Sequence, residues 1–393
     1  MIDVITFFPT PEKYIDLIAV FLLACYGKIK GHILLRNSDF LPEELENLYK
    51  NSNVEIHYIP FFKKVKQKKV LKEKVREIIQ KSKNNKLIIH DHFYWITPFS
   101  KKDFLKELKV IQSYYTYIIG YFTEIITFKQ PIPKFQEIKK RLISLVDEVR
   151  TSRKADIIIV QAPNLERYLH FKKNKIKIIP NAVKCKNVIK ENIQFPIRIA
   201  AVNRWLICKG SSIFIDAIKI LMEQKKENLW EINLGGPNAD ELYKELLKFV
   251  CKKKIKFFGA NLTKERLKEL FINSDIMICP SPFEGSPRII LEAMSFGVSS
   301  VAFDLPGIKV LNVNNCLEIV PLREGGRGLA HKVSDLLESS KIISNMDFTN
   351  FYNHPIKEKT KLCISVVYNN FSYKQVSKKL HNLYLRSFNK DKC

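Results

Sequence analysis

The stretch IMICPSPFEGSPRIILEAMSFG, residues 276–297, joins a short apolar run, a polar turn and an amphipathic helical pattern. The apolar run Ile276 to Cys279 is predicted to form a buried strand. Ser286 is a favourable N-cap and Pro287 a favourable first helical residue, so the helix is predicted to begin there. A strand that leads into a helix through a short loop is the building unit of parallel α/β sheets. The stretch therefore favours a doubly wound α/β fold.

Two glutamates flank this predicted helix start. Glu284 lies in the loop, next to Gly285, whose missing side chain lets the backbone approach a ligand closely. The N–H groups of the first helical turn favour an anion such as a diphosphate. Glu292 lies about one and a half turns into the helix, where a buried carboxylate needs a partner, and a sugar diol offers two hydroxyl donors. The pattern predicts a ligand that carries both phosphates and hydroxyls.

A second loop suits the same ligand. The segment AAVNRWLICKG, residues 200–210, places Arg204 and Lys209 directly after the strand pattern Ile197 to Val202. An arginine contributes a planar, two-pronged donor to a phosphate, and a lysine contributes a point charge. Two cations on one loop can therefore neutralise a diphosphate.

Strand and helix patterns alternate through both halves of the chain. In the first half, strand patterns such as Thr116–Phe122 alternate with helical patterns such as 99–109 and 134–153. The alternation predicts two parallel sheets with helices on both faces, and such sheets bind ligands beyond the carboxyl ends of their strands. We therefore expect two doubly wound Rossmann-like domains facing a central cleft. Their predicted ranges are 1–185 with a C-terminal helix at 372–393, and 186–371.

These motifs resemble the retaining GT-B glycosyltransferases of glycosyltransferase family 4. The resemblance is strongest between residues 197 and 303, and it weakens on either side. It rests on Arg204-x4-Lys209-Gly210, on LGGP at 234–237, on FFG at 257–259 and on the E-x7-E spacing within CPSPFEGSPRIILEAMSFG. The E-x7-E spacing indicates this family only when the surrounding residues of the motif are also present.

The resemblance implies that the second domain holds a nucleotide-diphosphate sugar. In similar enzymes the residue matching Glu284 contacts hydroxyls of the donor sugar, and the one matching Glu292 contacts the ribose. The residues matching Arg204 and Lys209 contact the diphosphate. Backbone amides around Gly285, Ser286 and Pro287 help to hold the sugar and the phosphates. The C-terminal helix of such enzymes crosses back to the first domain.

The resemblance also implies retention of configuration and a hexose transfer that needs no metal, and the chain has no D-x-D motif to hold one. In similar enzymes a histidine after a first-domain strand lines the cleft near the reacting sugar. Here KLIIHDHFYW, residues 86–95, carries His90 and His92, and His92 is the better candidate. Glu124 is a further candidate. The predicted catalytic residues are Glu284, His92, Arg204 and Lys209.

Three positions of the chain depart from the family pattern. The first loop, PTPEKY, lacks the usual glycine pair, and Asn181-Ala182 stands where Asn-Gly is common. Lys309 occupies a position that is commonly acidic. These departures leave the acceptor, a glycan or a lipid-linked molecule, undetermined.

The charge of the chain favours an anionic partner. The 393 residues carry a formal net charge of +26, and residues 1–190 carry +17 of it. The segment FFKKVKQKKVLKEKVREIIQKSKNNK, residues 61–86, holds eleven basic residues and two glutamates. Such a charge favours anionic lipid or an anionic acceptor, although a solvated lysine-rich helix face would have the same composition. No nucleic-acid module is recognisable.

The amino terminus does not resemble a secretory signal, and no apolar stretch is long enough to span a bilayer. The eight cysteines are dispersed and lack metal-ligand spacing, so reduced thiols are expected. We therefore expect a cytoplasmic protein that is free or peripheral at the cytoplasmic face of the membrane.

Two alternatives remain open from the sequence. The same fold could serve a nucleotide-sugar epimerase or hydrolase. A non-catalytic, basic protein that binds membranes or polyanions would also fit the charge of the first half.

Overall fold

The protein is described by a computed structural model that covers residues 1–8, 10–60, 64–92, 107–113, 153–163, 175–186, 196–224, 227–344 and 355–388. The chain forms two compact units. The N-terminal unit ends at Ala182 and includes the chain from Tyr373 onwards, and the C-terminal unit spans Val183–Ser372.

The N-terminal unit contains a seven-stranded parallel sheet in the order β3-β2-β1-β4-β5-β6-β7. The strands are mostly runs of Ile, Leu and Val that are buried on both faces, as parallel sheets require. Their bounds are β1 Ile2–Phe7, β2 Ile29–Arg36, β3 Val54–Ile59, β4 Lys86–Asp91, β5 Glu107–Ser113, β6 Ile157–Val160 and β7 Ile176–Ile178.

The described helices of this unit are α1 Ile15–Ala24, α2 Glu46–Lys50, α3 Lys64–Lys81 and the C-terminal α11 Tyr373–Arg386. Helix α11 packs on α1, and Val376, Leu380 and Tyr384 belong to the apolar cluster of this unit. His381 Nδ1 lies 2.8 Å from the carbonyl oxygen of Ala24. The predicted return of the C-terminal helix to the first domain is therefore confirmed.

The C-terminal unit contains a six-stranded parallel sheet in the order β10-β9-β8-β11-β12-β13. Its strands are β8 Ile197–Val202, β9 Trp230–Gly235, β10 Ile255–Gly259, β11 Ile276–Cys279, β12 Ser299–Phe303 and β13 Glu318–Val320. Its helices are α4 Ser211–Glu223, α5 Ala239–Leu246, α6 Lys264–Ile272, α7 Arg288–Ser295, α8 Pro306–Lys309, α9 Gly325–Ser344 and α10 Pro355–Val366. One apolar cluster connects the sheet with its helices.

One local prediction is wrong, and one helix was not predicted. Residues 107–109, predicted to end a helix, begin β5, because the segment pairs with β4 and β6 and buries Leu108 and Val110 in the sheet. Helix α10 was not predicted, because its buried positions Ile356, Thr360 and Cys363 include a polar residue. The strand predicted at Thr116–Phe122, the helix predicted at 134–153 and Glu124 lie outside the described residues. Among the described residues, no helix is long and apolar enough to cross a bilayer.

Candidate functional site

The candidate site lies at the carboxyl ends of β8 and β11, which are neighbours in the C-terminal sheet. From β8 the chain first adds β9 and β10 on one side and later adds β11 to β13 on the other side. The order of strands therefore changes direction between β8 and β11, and open parallel sheets bind ligands at such a switch point. Loop A, residues 203–210, follows β8, and loop B, residues 280–287, follows β11.

Close backbone packing holds loop A against loop B. Gly210 has a φ of +81°, and a Cβ atom at this position would lie 2.1 Å from the carbonyl oxygen of Pro280. Only glycine combines this conformation with this approach. Asn203 Nδ2 donates hydrogen bonds to Ser281 Oγ at 2.9 Å and to the Lys209 carbonyl oxygen at 3.2 Å. The two loops thus form one surface.

An ion pair joins the two loops at this surface. Lys209 Nζ lies 2.9 Å from Glu284 Oε1, and the two side chains are 26% and 13% exposed. Lys209 Nζ also lies 3.5 Å from the carbonyl oxygen of Phe283. From the sequence, Lys209 was predicted to contact the diphosphate and Glu284 to contact the donor sugar. In the structure the cation and the carboxylate partly neutralise each other.

A tryptophan anchors loop A and leaves Arg204 exposed. Trp205 is buried, its Nε1 donates to the Gly235 carbonyl oxygen at 2.9 Å, and its backbone N–H donates to the Pro237 carbonyl oxygen at 2.8 Å. Asn203 and Trp205 were not predicted as site residues, although the N–H of a buried tryptophan usually needs a hydrogen-bond acceptor and so fixes the loop that carries it.

Helix α8 packs closely against the backbone of loop B. A Cβ atom on Gly307 would lie 2.1 Å from the Gly285 carbonyl oxygen and 2.6 Å from that of Glu284. Lys309, at the position that is acidic in the family pattern, forms an ion pair with Asp304 at 3.0 Å. The backbone of loop B at Glu284 and Gly285 is therefore held in place by packing as well as by the ion pair.

Helix α7 begins one residue later than predicted. Pro287 is its N-cap, with a ψ of 108°, and no side-chain cap bond forms there. The expected roles of Ser286 as N-cap and Pro287 as first helical residue are therefore wrong by one position, because the extended ψ keeps Pro287 outside the helix. The N–H groups of the first turn, starting with Arg288, have no acceptor within the helix. The start of this helix remains a favourable place for an anion.

Glu292 differs from the expected buried carboxylate. Its side chain is 27% exposed, and Oε1 accepts a hydrogen bond from Arg288 at 3.2 Å. Arg288 and Glu292 are four residues apart on one side of α7, whereas Ile290, Leu291 and Met294 bury the other side. Arg288 is therefore a protein partner of the Glu292 carboxylate.

The predicted histidines lie in the N-terminal unit, where both are buried. His90 Nδ1 lies 2.6 Å from Tyr384 Oη, and His90 Nε2 lies 2.7 Å from Ser113 Oγ. The ring of His92 stacks on Phe8 and lies against His90, with centroid distances of 5.2 and 4.0 Å. Burial lowers the pKa of His92 to about 3, and burial together with His92 holds the pKa of His90 well below its usual range. Both imidazoles are therefore neutral near pH 7.

His92 and His90 line a cavity of about 30 Å³ within this unit, together with Asp16 and Asn181. A cavity of this size holds only a few water molecules. His92 is therefore a wall residue of a small, mostly apolar cavity in this structure. The expected position of His92 beside a reacting sugar stays a prediction.

The two parallel α/β units, together with basic and acidic side chains at the switch point of the second unit, define a GT-B fold. Residues 187–347, less than half of the chain, match the family described as "Glycosyl transferases group 1". No curated protein matches the chain by sequence. The fold and the family match together support a glycosyltransferase.

Three solved structures are similar to nearly the whole length of the chain. A glycosyltransferase from Rickettsia africae has 17% identity and a TM-score of 0.64, with 99% of each chain covered. Sucrose-phosphate synthase from Thermosynechococcus elongatus has 13% identity and a TM-score of 0.66, with 99% of each chain covered. HepE from Anabaena, in complex with UDP and glucose, has 14% identity and a TM-score of 0.64, with 97% of this chain and 99% of that chain covered. At these identities the likeness establishes the fold.

Proposed function

We propose that the protein transfers a hexose from a nucleotide-diphosphate sugar to a glycan or lipid-linked acceptor, with retention of configuration and without a metal. The observation that carries the proposal is the ion pair of Lys209 and Glu284 at the switch point of the C-terminal sheet. It brings a cation suited to a diphosphate and a carboxylate suited to sugar hydroxyls to one surface. The HepE structure, which contains UDP and glucose, makes UDP-glucose the first donor to test.

In this proposal, donor binding replaces the ion pair of Lys209 and Glu284. Lys209 then contacts the diphosphate, and the Glu284 carboxylate accepts hydrogen bonds from the donor sugar. Arg204 contacts the diphosphate from the exposed part of loop A. Backbone groups of Gly285, Ser286 and Pro287 lie next to the sugar and phosphates, and Glu292 contacts the ribose.

The chemical step creates negative charge on the diphosphate and positive charge on the sugar. The bond between the anomeric carbon and the diphosphate oxygen breaks, the acceptor oxygen bonds to the anomeric carbon, and the acceptor proton passes to the departing diphosphate. Arg204, Lys209 and the start of α7 stabilise the negative charge that grows on the diphosphate, and Glu284 faces the positive charge that grows on the sugar. Attack on the face from which the diphosphate departs gives retention.

His92 enters the proposal as a neutral side chain. With a pKa of about 3 it carries no charge near pH 7, so its contribution is a hydrogen bond or a contact with the sugar or acceptor. His92 is therefore not proposed as a proton carrier.

Release of nucleoside diphosphate from a panel of nucleotide sugars, with and without acceptors, tests the proposal. A transferase releases the diphosphate faster with one acceptor and forms a linked product. Equal release without acceptor indicates a hydrolase, and a new nucleotide sugar indicates an epimerase. Absence of both release and nucleotide binding across the panel would leave the non-catalytic, polyanion-binding alternative and reject the proposal.

A further inference from the structure

A group of histidine and carboxylate side chains lies on strands β1 to β3 of the N-terminal unit, in the other unit from the proposed donor site. His32 on β2 pairs in register with Glu55 on β3, and His57 follows Glu55 by two residues, on the same face of the strand. Strand β3 is the edge strand of the sheet. Asp3 lies on β1, the next strand inward.

Three atoms of this group have the spacing of metal ligands. His32 Nδ1 lies 3.0 Å from His57 Nε2 and 3.5 Å from Glu55 Oε2, and His57 Nε2 lies 3.8 Å from the same Glu55 oxygen. In a tetrahedral zinc site with bonds of 2.0–2.1 Å, neighbouring ligand atoms are about 3.3–3.4 Å apart. The triangle therefore needs shifts of only a few tenths of an ångström to enclose one ion.

A buried carboxylate lies behind the inner histidine. Asp3 Oδ1 lies 3.7 Å from the other nitrogen of His32, Nε2, which is longer than a hydrogen bond, so the interaction is electrostatic. Asn84 Nδ2 donates to Asp3 at 2.7 Å, and Ser82 Oγ also donates to this carboxylate. A negative charge beside Nε2 favours the proton on that nitrogen and leaves the lone pair of Nδ1 directed at Glu55 and His57. Metal-binding histidines usually have a hydrogen-bond acceptor at this second nitrogen, and Asp3 lies on that side of His32.

The outer side of the triangle is accessible to a metal ion and to water. Glu55 is 52% exposed and His57 is 20% exposed, whereas His32 is buried. Lys30 Nζ forms an ion pair with Glu55 Oε1 at 2.5 Å, which leaves Oε2 on the side of the imidazoles. A solvent molecule can therefore complete a fourth position, as in zinc sites with three protein ligands.

We propose that His32 Nδ1, His57 Nε2 and Glu55 Oε2 bind one divalent transition-metal ion, for which zinc is the best match, with Asp3 as the residue that positions His32. Two imidazoles and one carboxylate suit zinc better than calcium or magnesium, which prefer oxygen ligands. The ion connects the edge strand β3 to β2 and stabilises the N-terminal unit. This site is independent of the proposed transfer reaction.

Metal binding to the full-length protein tests the proposal. Titration of Zn²⁺ against a chromogenic chelator should give one high-affinity ion per chain, and Zn²⁺ should raise the melting temperature. His57→Ala and Glu55→Gln should each weaken binding at least about tenfold, as loss of metal partners typically does. His331→Ala, an exposed histidine on α9, is the matched control and should bind as the native chain does. Zn²⁺ affinity that is absent, or unchanged in His57→Ala, overturns the proposal.

Co²⁺ substitution in the native chain separates this site from zinc binding by thiols, because the described cysteines are free. The proposed site gives a d–d spectrum of nitrogen and oxygen ligands without a thiolate charge-transfer band, and alkylation of the thiols leaves it unchanged. A spectrum dominated by thiolate bands that alkylation removes would assign the ion to cysteines and overturn the proposal, even if a variant failed to fold.

Discussion

The ammonium group of Lys209 lies 2.9 Å from the carboxylate of Glu284, and the two residues come from loops that follow the adjacent strands β8 and β11. The pair is partly exposed, so it contributes at most about 1 kcal/mol to the stability of the fold. In the proposed function its main consequence concerns binding, because a diphosphate would compete with Glu284 for Lys209.

Glu284→Gln should therefore have opposite effects on nucleotide binding and on turnover. Removal of the carboxylate charge frees Lys209, so UDP affinity should rise by up to about fivefold, the equivalent of roughly 1 kcal/mol. Turnover should fall about tenfold to a hundredfold, because a charged hydrogen bond to the donor sugar is lost. Calorimetric titration and diphosphate release measure the two effects.

Glu269→Gln, which removes a surface carboxylate that pairs with Arg266 and Lys256, is the control for general charge effects. A Glu284→Gln variant with native turnover would contradict the proposed contact with the donor sugar. A variant with native UDP affinity would contradict competition for Lys209.

Arg204→Ala and Lys209→Ala should weaken the binding of UDP much more than the binding of uridine. Each side chain is proposed to form a charge-assisted contact with the diphosphate, and loss of such a contact costs on the order of 1.5 to 3 kcal/mol, a tenfold to hundredfold effect. Lys268→Ala removes an exposed lysine of α6 and should leave both affinities unchanged. Equal losses for UDP and uridine would show that the loop had lost its shape, and no loss in either variant would reject the diphosphate site.

Variants of Glu292 and of Arg288 can distinguish two roles of the Glu292 carboxylate, ribose binding and pairing within the helix, because a hydrogen bond joins the two side chains. If Glu292 binds the ribose, Glu292→Ala should weaken nucleotide binding about tenfold, whereas Arg288→Ala, which removes a protein partner of Glu292 and keeps the carboxylate, should change it little. If the carboxylate serves only the helix, both variants should lose a few tenths of a kcal/mol of stability and keep the native nucleotide affinity. Calorimetry with UDP and thermal unfolding of the same samples distinguish these outcomes.

The central strands of the second unit could be predicted from the sequence because their burial is encoded locally. Ile197–Val202, Ile276–Cys279 and Ser299–Phe303 are short apolar runs, and the structure has strands with these bounds. Strand β5 was missed because Glu107, Leu108 and Lys109 are all good helix formers, whereas the pairing of this segment with β4 and β6 determines its conformation. Local propensity gives way to tertiary pairing there.

The position of the candidate site at one edge of the sheet could be predicted from the sequence. The contacts within the site could not. A strand followed by a loop predicts that Lys209 and Glu284 lie at the same edge. Their ion pair depends on two flexible side chains 75 residues apart, which no local pattern specifies. His32 and His57 likewise lacked metal-ligand spacing in the sequence, since the register of β2 with β3 brings them together.

The basic first half predicts binding to anionic membranes. Helix α3 exposes Lys69 and Arg76, and each cation near a membrane surface adds about 1 kcal/mol. Lys69→Glu with Arg76→Glu should therefore reduce co-sedimentation with phosphatidylserine vesicles by more than tenfold at low salt. Lys253→Glu with Lys268→Glu makes the same charge change on the C-terminal unit and should have a smaller effect. Absence of binding at low salt, or binding that salt does not weaken, would exclude electrostatic docking.

Burial of His90 and His92 predicts a loss of stability in mild acid. The folded pKa of His92 is about 3 and that of His90 is well below its usual range, whereas unfolded histidine titrates near pH 6.5. Below about pH 6.5 the histidines bind protons in the unfolded chain but not in the folded chain, so the free energy of unfolding falls as the pH falls. Each such histidine removes about 1.4 kcal/mol per pH unit within this window. Above pH 7 both states are neutral, and these residues add no pH dependence.

His92→Phe tests this assignment while keeping an aromatic ring to stack on Phe8. Urea unfolding between pH 7.5 and 4.5 should show a slope that is smaller by about one proton, or roughly 1.4 kcal/mol per pH unit, than the slope of the native chain. His331→Phe, at an exposed position on α9, is the matched control and should keep the native slope. An unchanged slope in His92→Phe would mean that His92 takes up its proton in the folded chain, and a charged role for it in the reaction would then have to be reconsidered.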